Sequence, residues 1–483
     1  MNTQHSTHNK LDRQHAIVIG GSMAGLLAAR VLSDHFEQVT IIERDRLPQE
    51  VAPRKGVPQG QHVHALLAKG IGILTELFPG LFETLTQDGA IRFTPMDIRL
   101  YQLGAWNARF PSSIHLYSQS RPFLEQYVRD FLAVRGNVRF LDGCEVTNLY
   151  EDHGRITDVH LRYRNEERHG EILFADLIVD ASGRGSRAPQ WLVALGYDRV
   201  EETSVKVDVG YATRIYRLPS HTSIDWKLLM IAASPPHGRR AGAIFLIEGD
   251  RWMVTLTSVM HDYLPDDEQG FLEYARSLPQ PDLYEAIKEA EPLTPIRTYR
   301  YSANRWRHYE RMSRLPEGFV ILGDAVCSFN PAYGQGMTVA ALEAKVLDTC
   351  LQQQQRRVNE QGSGFTLRFQ KAVAKVVEWP WQMATGVDRR YLATAEEQTW
   401  VTRLTNWYIL RISQLLASDP LVADRFSRVA HLLKPPTALF DPRIVWAVLR
   451  KELAVRRQKP TAPSITDEVI APVPTPEMDA VAR

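Results

Sequence analysis

The run Ala16-Ile-Val-Ile19-Gly20-Gly21-Ser22-Met23-Ala24-Gly25 decides how the first part of this chain is read. Four apolar residues, three of them β-branched, stop at a glycine pair. Met23 to Leu32 then continue with helix formers, so the order is strand, tight turn, helix. Val39-Thr-Ile-Ile42 is a second buried strand ending at Glu43, which completes a βαβ unit. Ser22 stands where the dinucleotide fingerprint has its middle glycine, and alone the motif is weak. Its context strengthens it. Glycines let the backbone approach a pyrophosphate, a helix N-terminus favours that negative charge, and Glu43 is placed to accept hydrogen bonds from ribose hydroxyls.

Working outward, a helical Pro122–Val134 followed by a strand Asn137–Leu141 repeats the idea less cleanly. Between about residues 205 and 260 the pattern changes to alternating strands, Val205–Tyr216, Ala243–Glu248 and Arg251–Ser258, which predicts an antiparallel, substrate-covering sheet. Phe319–Leu322 is again a buried strand, and a helix-like Gly336–Leu351 follows it. Beyond that the chain reads as helical, Phe365–Leu416 and Pro420–Leu433, interrupted by Pro380 and Pro435-Pro436. Residues 1–14 and 458–483 read as a disordered leader and tail.

Composition narrows the partners. Across 483 residues, 57 Lys and Arg nearly cancel 56 Asp and Glu, so no nucleic-acid partner is implied. Cys144, Cys327 and Cys350 are too few for a disulfide framework, which makes a reducing cytoplasm the expected compartment. The longest nearly apolar stretch, Ala16–Ala29, is too short to span a bilayer, and the leader has no apolar core. Neither a signal peptide nor a spanning helix is expected. Peripheral membrane contact stays open, because an amphipathic surface does not show in a hydropathy count.

Two more motifs follow the first. Asp176-Leu-Ile-Val-Asp180-Ala-Ser-Gly183-Arg-Gly-Ser186 is a strand ending in a tight Gly/Ser turn. Gly323-Asp324-Ala-Val-Cys327-Ser-Phe-Asn-Pro331-Ala-Tyr-Gly334-Gln335-Gly336-Met337 places a carboxylate at a strand end, then a Pro-bounded loop, then a helix start whose free N–H groups can face an anion.

In this order and spacing, the three motifs resemble those of the FAD-dependent monooxygenases of the para-hydroxybenzoate hydroxylase fold, a group that also includes squalene-type epoxidases. With Arg54-Lys-Gly-Val-Pro-Gln-Gly-Gln-His62-Val-His64-Ala-Leu-Leu67, the chain looks like the bacterial flavin epoxidases of polyether biosynthesis. The resemblance implies an α/β (α+β) fold. A Rossmann-like FAD-binding domain, residues 15–200 and 295–355, would be interleaved with an antiparallel-sheet substrate domain, 201–294, and followed by a helical region, 356–457.

The resemblance also assigns residues. Gly20, Ser22 and Gly25 would hold the ADP pyrophosphate, Glu43 the adenosine ribose, Arg121 the cofactor, and Asp324 the ribityl chain. Asp180 and Gly183 match a segment tied to both flavin and nicotinamide. Met23, Ala24, Arg44, Arg54, Val146 and Gln335 complete the cofactor-binding set, and Pro331, Gly334, Gly336 and Met337 lie at the ring as the catalytic candidates. The implied reaction inserts one oxygen atom from O2 through a C4a-hydroperoxyflavin. NAD(P)H would be the donor, directly or through a flavin or ferredoxin-type reductase. The expected chemistry is epoxidation of a C=C bond in a large apolar substrate, with aromatic or polyketide hydroxylation as the alternative. Prenyl reduction and a non-catalytic binding protein are further alternatives.

Cys327 stands where aromatic hydroxylases often carry a histidine, which weakens a phenol reading, though the plainer reading is a small core residue beneath the helix. His62 and His64 would share a face if strand-borne, but no third ligand accompanies them, so a loop-structuring or flavin-edge role is expected and no metal site. Trp379-Pro380-Trp381 lacks the rest of the halogenase tryptophan motif. The aromatic stretch Trp400–Trp407 reads as helix packing.

Overall fold

The computed structural model describes residues 13–164, 170–219, 224–260, 262, 264–356, 364–392 and 399–458. The leader and tail expected to be disordered lie outside the described residues, except Arg13, Gln14 and Gln458 at their inner ends.

Five parallel strands form one sheet, in the order Phe319–Ile321, Leu177–Asp180, His15–Ile19, Gln38–Glu43, Val138–Asp142. Their apolar runs are buried on both faces, as parallel strands require. Register brings all three motifs to one edge: Ile19 lies beside both Ile42 and Asp180, and Asp180 beside Ile321. The carboxyl edge of such a sheet is where open α/β folds bind ligands. The helices Met23–Leu32 and Gly336–Arg356 pack on each other against this sheet.

An eight-stranded sheet runs Cys327–Ser328, Arg297–Arg307, Glu202–Arg217, Arg251–Val259, Arg240–Ile247, Leu228–Ile231, Ile98–Gln102, Ala105–Trp106. It is antiparallel except where Leu228–Ile231 meets Ile98–Gln102. Period-two alternation splits its faces. Ile215, Phe245 and Met253 turn toward the parallel sheet's core, whereas Ala212, Ile244, Trp252 and Val254 pack under the helices Glu268–Arg276 and Asp282–Ile287. The sheet draws strands from before residue 201 and after 294, and Cys327–Ser328 bonds directly from the third motif to its edge. A three-stranded sheet of Cys144–Asp152, Arg155–Tyr163 and Glu171–Phe174 flanks the parallel one.

The C-terminal region carries the helices Phe365–Leu392, Trp400–Leu415, Pro420–Ala430 and Pro442–Gln458. Two expectations fail here. Pro380 does not interrupt its helix, which runs through it from Phe365 to Leu392. The bond forfeited there is outweighed by packing: Phe369, Val373, Val377, Trp381 and Ala384 form a buried stripe, with Trp381 edge-on to Trp306 at 5.7 Å. The Trp400–Trp407 stretch is helical but not packed, with Trp400 71% and Trp407 37% exposed. The buried stripe of that helix falls instead on Tyr408, Ile412 and Leu415.

Candidate active site

A cleft of about 420 Å³ opens at the carboxyl edge of the parallel sheet, within the size range of small-molecule sites. Its outer end is bounded by Glu43, Arg44 and Val146, its middle by Gly20, Ser22, Met23, Ala24, Arg121 and Gly183, and its inner end by Asp324, Asn330, Pro331 and Gly334 to Met337. These residues come from segments far apart in sequence. Gly25, Arg54 and Asp180 do not line the cleft.

Each of those three sits behind the wall. A Cβ on Gly25 would come 1.8 Å from the Gly20 carbonyl oxygen, so that position must be glycine for helix to meet turn. Gly20 has φ +107°, where a side chain would be strained and would meet the Ala181 carbonyl at 2.6 Å. Asp180, fully buried, accepts from Ser182 N at 2.9 Å and from the Ser182 and Ser186 hydroxyls at 2.5 Å each. It thereby shapes the turn that presents Gly183.

Arg54 belongs to a buried charge cluster centred on Glu125, a residue missed in the sequence. Glu125 receives Arg54 Nε at 3.0 Å, Arg121 Nη2 at 3.2 Å and the Ser22 hydroxyl at 2.8 Å. Burial alone would push its carboxyl up, but the Arg121 and Arg54 guanidiniums more than offset this and hold it below the usual carboxylate range. Because Ser22 donates to Glu125, it does not cap its own helix, and the first N–H groups of Met23–Leu32 stay available to an anion. Glu43 accepts from Gly21 N at 2.8 Å and Asp45 N at 2.9 Å and pairs with Arg54 at 3.1 Å. A carboxylate has about four acceptor positions, so room for a ribose hydroxyl remains.

At the inner end, Asp324 meets no protein donor among the described residues, and burial pushes its carboxyl up. Its Oδ1 lies 3.8 Å from where a Gly336 Cβ would be, at the start of the helix Gly336–Arg356. Gln335 Oε1 is buried without a partner. A carboxyl group with no protein donor and an unused helix N-terminus fit the ribityl hydroxyls and ring edge of a flavin. Behind them, Glu343 accepts from Gly323 N at 2.5 Å, and burial pushes it up to about 8.

The loop Asn330–Gly334 is held from outside the cleft. Tyr211 Oη donates to Asn330 Oδ1 at 2.7 Å and accepts from Ala332 N at 2.9 Å. Asp388, on the helix Phe365–Leu392, accepts from Tyr333 Oη at 2.6 Å, Asn304 Nδ2 at 2.6 Å and Asn330 Nδ2 at 3.2 Å. Gly334, at φ +64°, packs on Ala65, which links this loop to the histidine segment. His62 and His64 lie in a loop, not a strand. His62 Nδ1 bonds Thr213 Oγ1 at 2.7 Å between the rings of Tyr211 and Tyr299, while His64 edges the cleft. Burial pushes His62 down to about 4. Cys327 is buried in the core beside these elements.

A family of sequences described as FAD binding domain matches residues 13–357. The chain belongs to this family, as an FAD-dependent monooxygenase. It is 32% identical over 93% of its length, and 97% of the relative's, to Protein Rv3254 of Mycobacterium tuberculosis. It is 26% identical to a kynurenine 3-monooxygenase of Salinispora tropica over 70% of this chain and 73% of that one. The flavin-dependent brominase Bmp2 superposes at TM-score 0.64 with 13% identity, covering 92% of this chain and all of that one, which is a likeness of fold. The fold is that of para-hydroxybenzoate hydroxylase, with a C-terminal helical region added. Among the described residues no helix is long and apolar enough to cross a membrane.

Proposed function

We propose that this monooxygenase transfers one oxygen atom from O2 to a C=C bond of a large apolar, polyketide- or terpenoid-like substrate. NAD(P)H is the proposed electron donor. The observation that carries the reading is the electrostatic character of the cleft's inner end. Of the groups that line it, burial moves His64 down and Tyr299, Tyr301 and Asp324 up. Every one of these shifts favours the neutral form. That suits an uncharged substrate, and none of these lining groups is tuned to deprotonate a phenol near neutral pH.

Bound and reduced, FAD supplies the electrons that activate O2 and the site of oxygen delivery. The chain's own residues have four tasks. The N–H groups at Met23–Leu32 and the Arg121 guanidinium would hold the pyrophosphate, and Glu43 and Asp324 would take the cofactor's hydroxyls. Gly336 and Met337, at the start of a long helix, would offer partial positive charge to a bound flavin. Pro331 and Gly334 give that loop its shape, and the Tyr211, Asn304 and Asp388 bonds fix it. Tyr299 and Tyr301, on the large sheet, line the cleft and exclude water from it.

Aromatic-ring hydroxylation is the second reading, favoured by the likeness to kynurenine 3-monooxygenase. Turnover with a linear polyene and with an electron-rich phenol separates the two. An epoxide from the polyene with no phenol product supports the first, and ring hydroxylation with the polyene untouched replaces it.

A further inference from the structure

The C-terminal helices carry an apolar surface that nothing in the described residues covers. On Pro442–Gln458, Ile444, Ala447 and Val448 face inward, while Trp446, Leu449 and Leu453 project from the opposite side, 63%, 45% and 52% exposed. On Trp400–Leu415 the exposed set is Trp400, Leu404 and Trp407, again at helical spacing. The two helices touch, and the outward sets are joined by one residue: Arg411 lies over the Trp407 ring and pairs with Glu452, the neighbour of Leu453.

Charge says what this surface meets. Between residues 399 and 458 there are ten Lys and Arg against four Asp and Glu, in a chain whose overall charge is +1. Arg403, Arg443 and Arg450 are exposed beside the apolar residues and form no ion pair among the described residues. A second copy of this chain would bring the same excess of positive charge to the contact, which opposes association. Tryptophans with flanking arginines on an amphipathic helix pair match a bilayer's interfacial zone and anionic headgroups.

We propose that the outward face of Trp400–Leu415 and Pro442–Gln458 is a docking surface for an anionic lipid bilayer. The rings and leucines enter the headgroup region, and the arginines meet lipid phosphates and carboxylates. No described helix crosses the bilayer. The attachment is peripheral and is weakened by salt.

The test is co-sedimentation of the full FAD-loaded chain with phosphatidylcholine vesicles, with and without phosphatidylserine. The expected result is binding at least about tenfold stronger with phosphatidylserine and weakened by high salt. Trp446→Ser with Leu449→Ser should lower it by about tenfold or more, and Arg403→Glu with Arg450→Glu should remove the preference for phosphatidylserine. Retained flavin absorbance shows that both variants are folded. A chain that stays in solution with both vesicles, or binds both equally, overturns the proposal. So does a solution dimer that Trp446→Ser with Leu449→Ser dissociates. The readout needs no turnover, so it stands or falls separately from oxygen transfer.

Discussion

Asp388 accepts a hydrogen bond from Tyr333 Oη at 2.6 Å, and this contact joins the C-terminal helical region to the loop at the cleft's inner end. The donors around Asp388 are fixed in orientation. Asn304 Oδ1 accepts from Asn330 N, and Asn330 Oδ1 accepts from Ala332 N, so each amide must show its NH2 to the carboxylate. Replacing Asp388 by Asn turns an NH2 toward an NH2 and leaves buried donors unmet. We expect a loss of about 1–3 kcal/mol in stability and weaker FAD retention, measured by thermal melting and by flavin fluorescence on dilution. Tyr333→Phe should cost about 1 kcal/mol.

Asp324 gives a prediction with opposite signs in two measurements. Its folded-state pKa is raised by burial, so the ionised group opposes folding when no partner is bound. Asp324→Asn should therefore raise the melting temperature of the FAD-free protein above the ordinary carboxylate range. The gain should disappear as pH falls through that range, because both states then carry the proton. The same variant should bind FAD more weakly. Equal melting temperatures at neutral pH would remove the desolvation argument.

Glu125 holds two guanidiniums in a buried site. Removing one member of such a cluster typically costs about 3–5 kcal/mol. Glu125→Ala should accordingly express poorly or melt well below the parent chain, whereas Ser22→Ala, which removes only a hydroxyl, should cost about 1 kcal/mol.

His62 has a folded pKa near 4, below its ordinary value, so the folded state prefers the neutral ring. Its contribution is present above about pH 6.5, the ordinary histidine value, and declines as pH falls toward 4. His62→Gln should flatten the stability profile across that window, read by chemical denaturation at several pH values. An unchanged slope would show that His62 is not the group responsible.

What was legible in the sequence is what local chemistry decides. The helix Met23–Leu32 and the strand before it follow from a β-branched run, a glycine pair and helix formers, all within a few residues of each other. The parallel edge that gathers Gly20, Asp180 and Asp324 was legible because each ends an apolar strand. Glu125 was not legible: its role exists only where residues 22, 54 and 121 converge, and nothing in Pro122–Ala133 marks that glutamate off from a solvated one. Asp388 is hidden for the same reason, since its partners at 304, 330 and 333 lie in other elements. Pro380 and Trp407 were misread because hydrophobicity and propensity report what a residue prefers, and tertiary packing decides what it gets.

The central claim is oxygen insertion into an uncharged alkene, and one measurement addresses it directly: turnover of the FAD-loaded enzyme with NAD(P)H, a linear polyene and isotopically labelled O2, followed by mass analysis of the product. The account predicts an epoxide carrying a single oxygen atom that derives from O2. Oxygen consumption with no label in any polyene product, or label found only in a hydroxylated ring when a phenol is supplied, would contradict it.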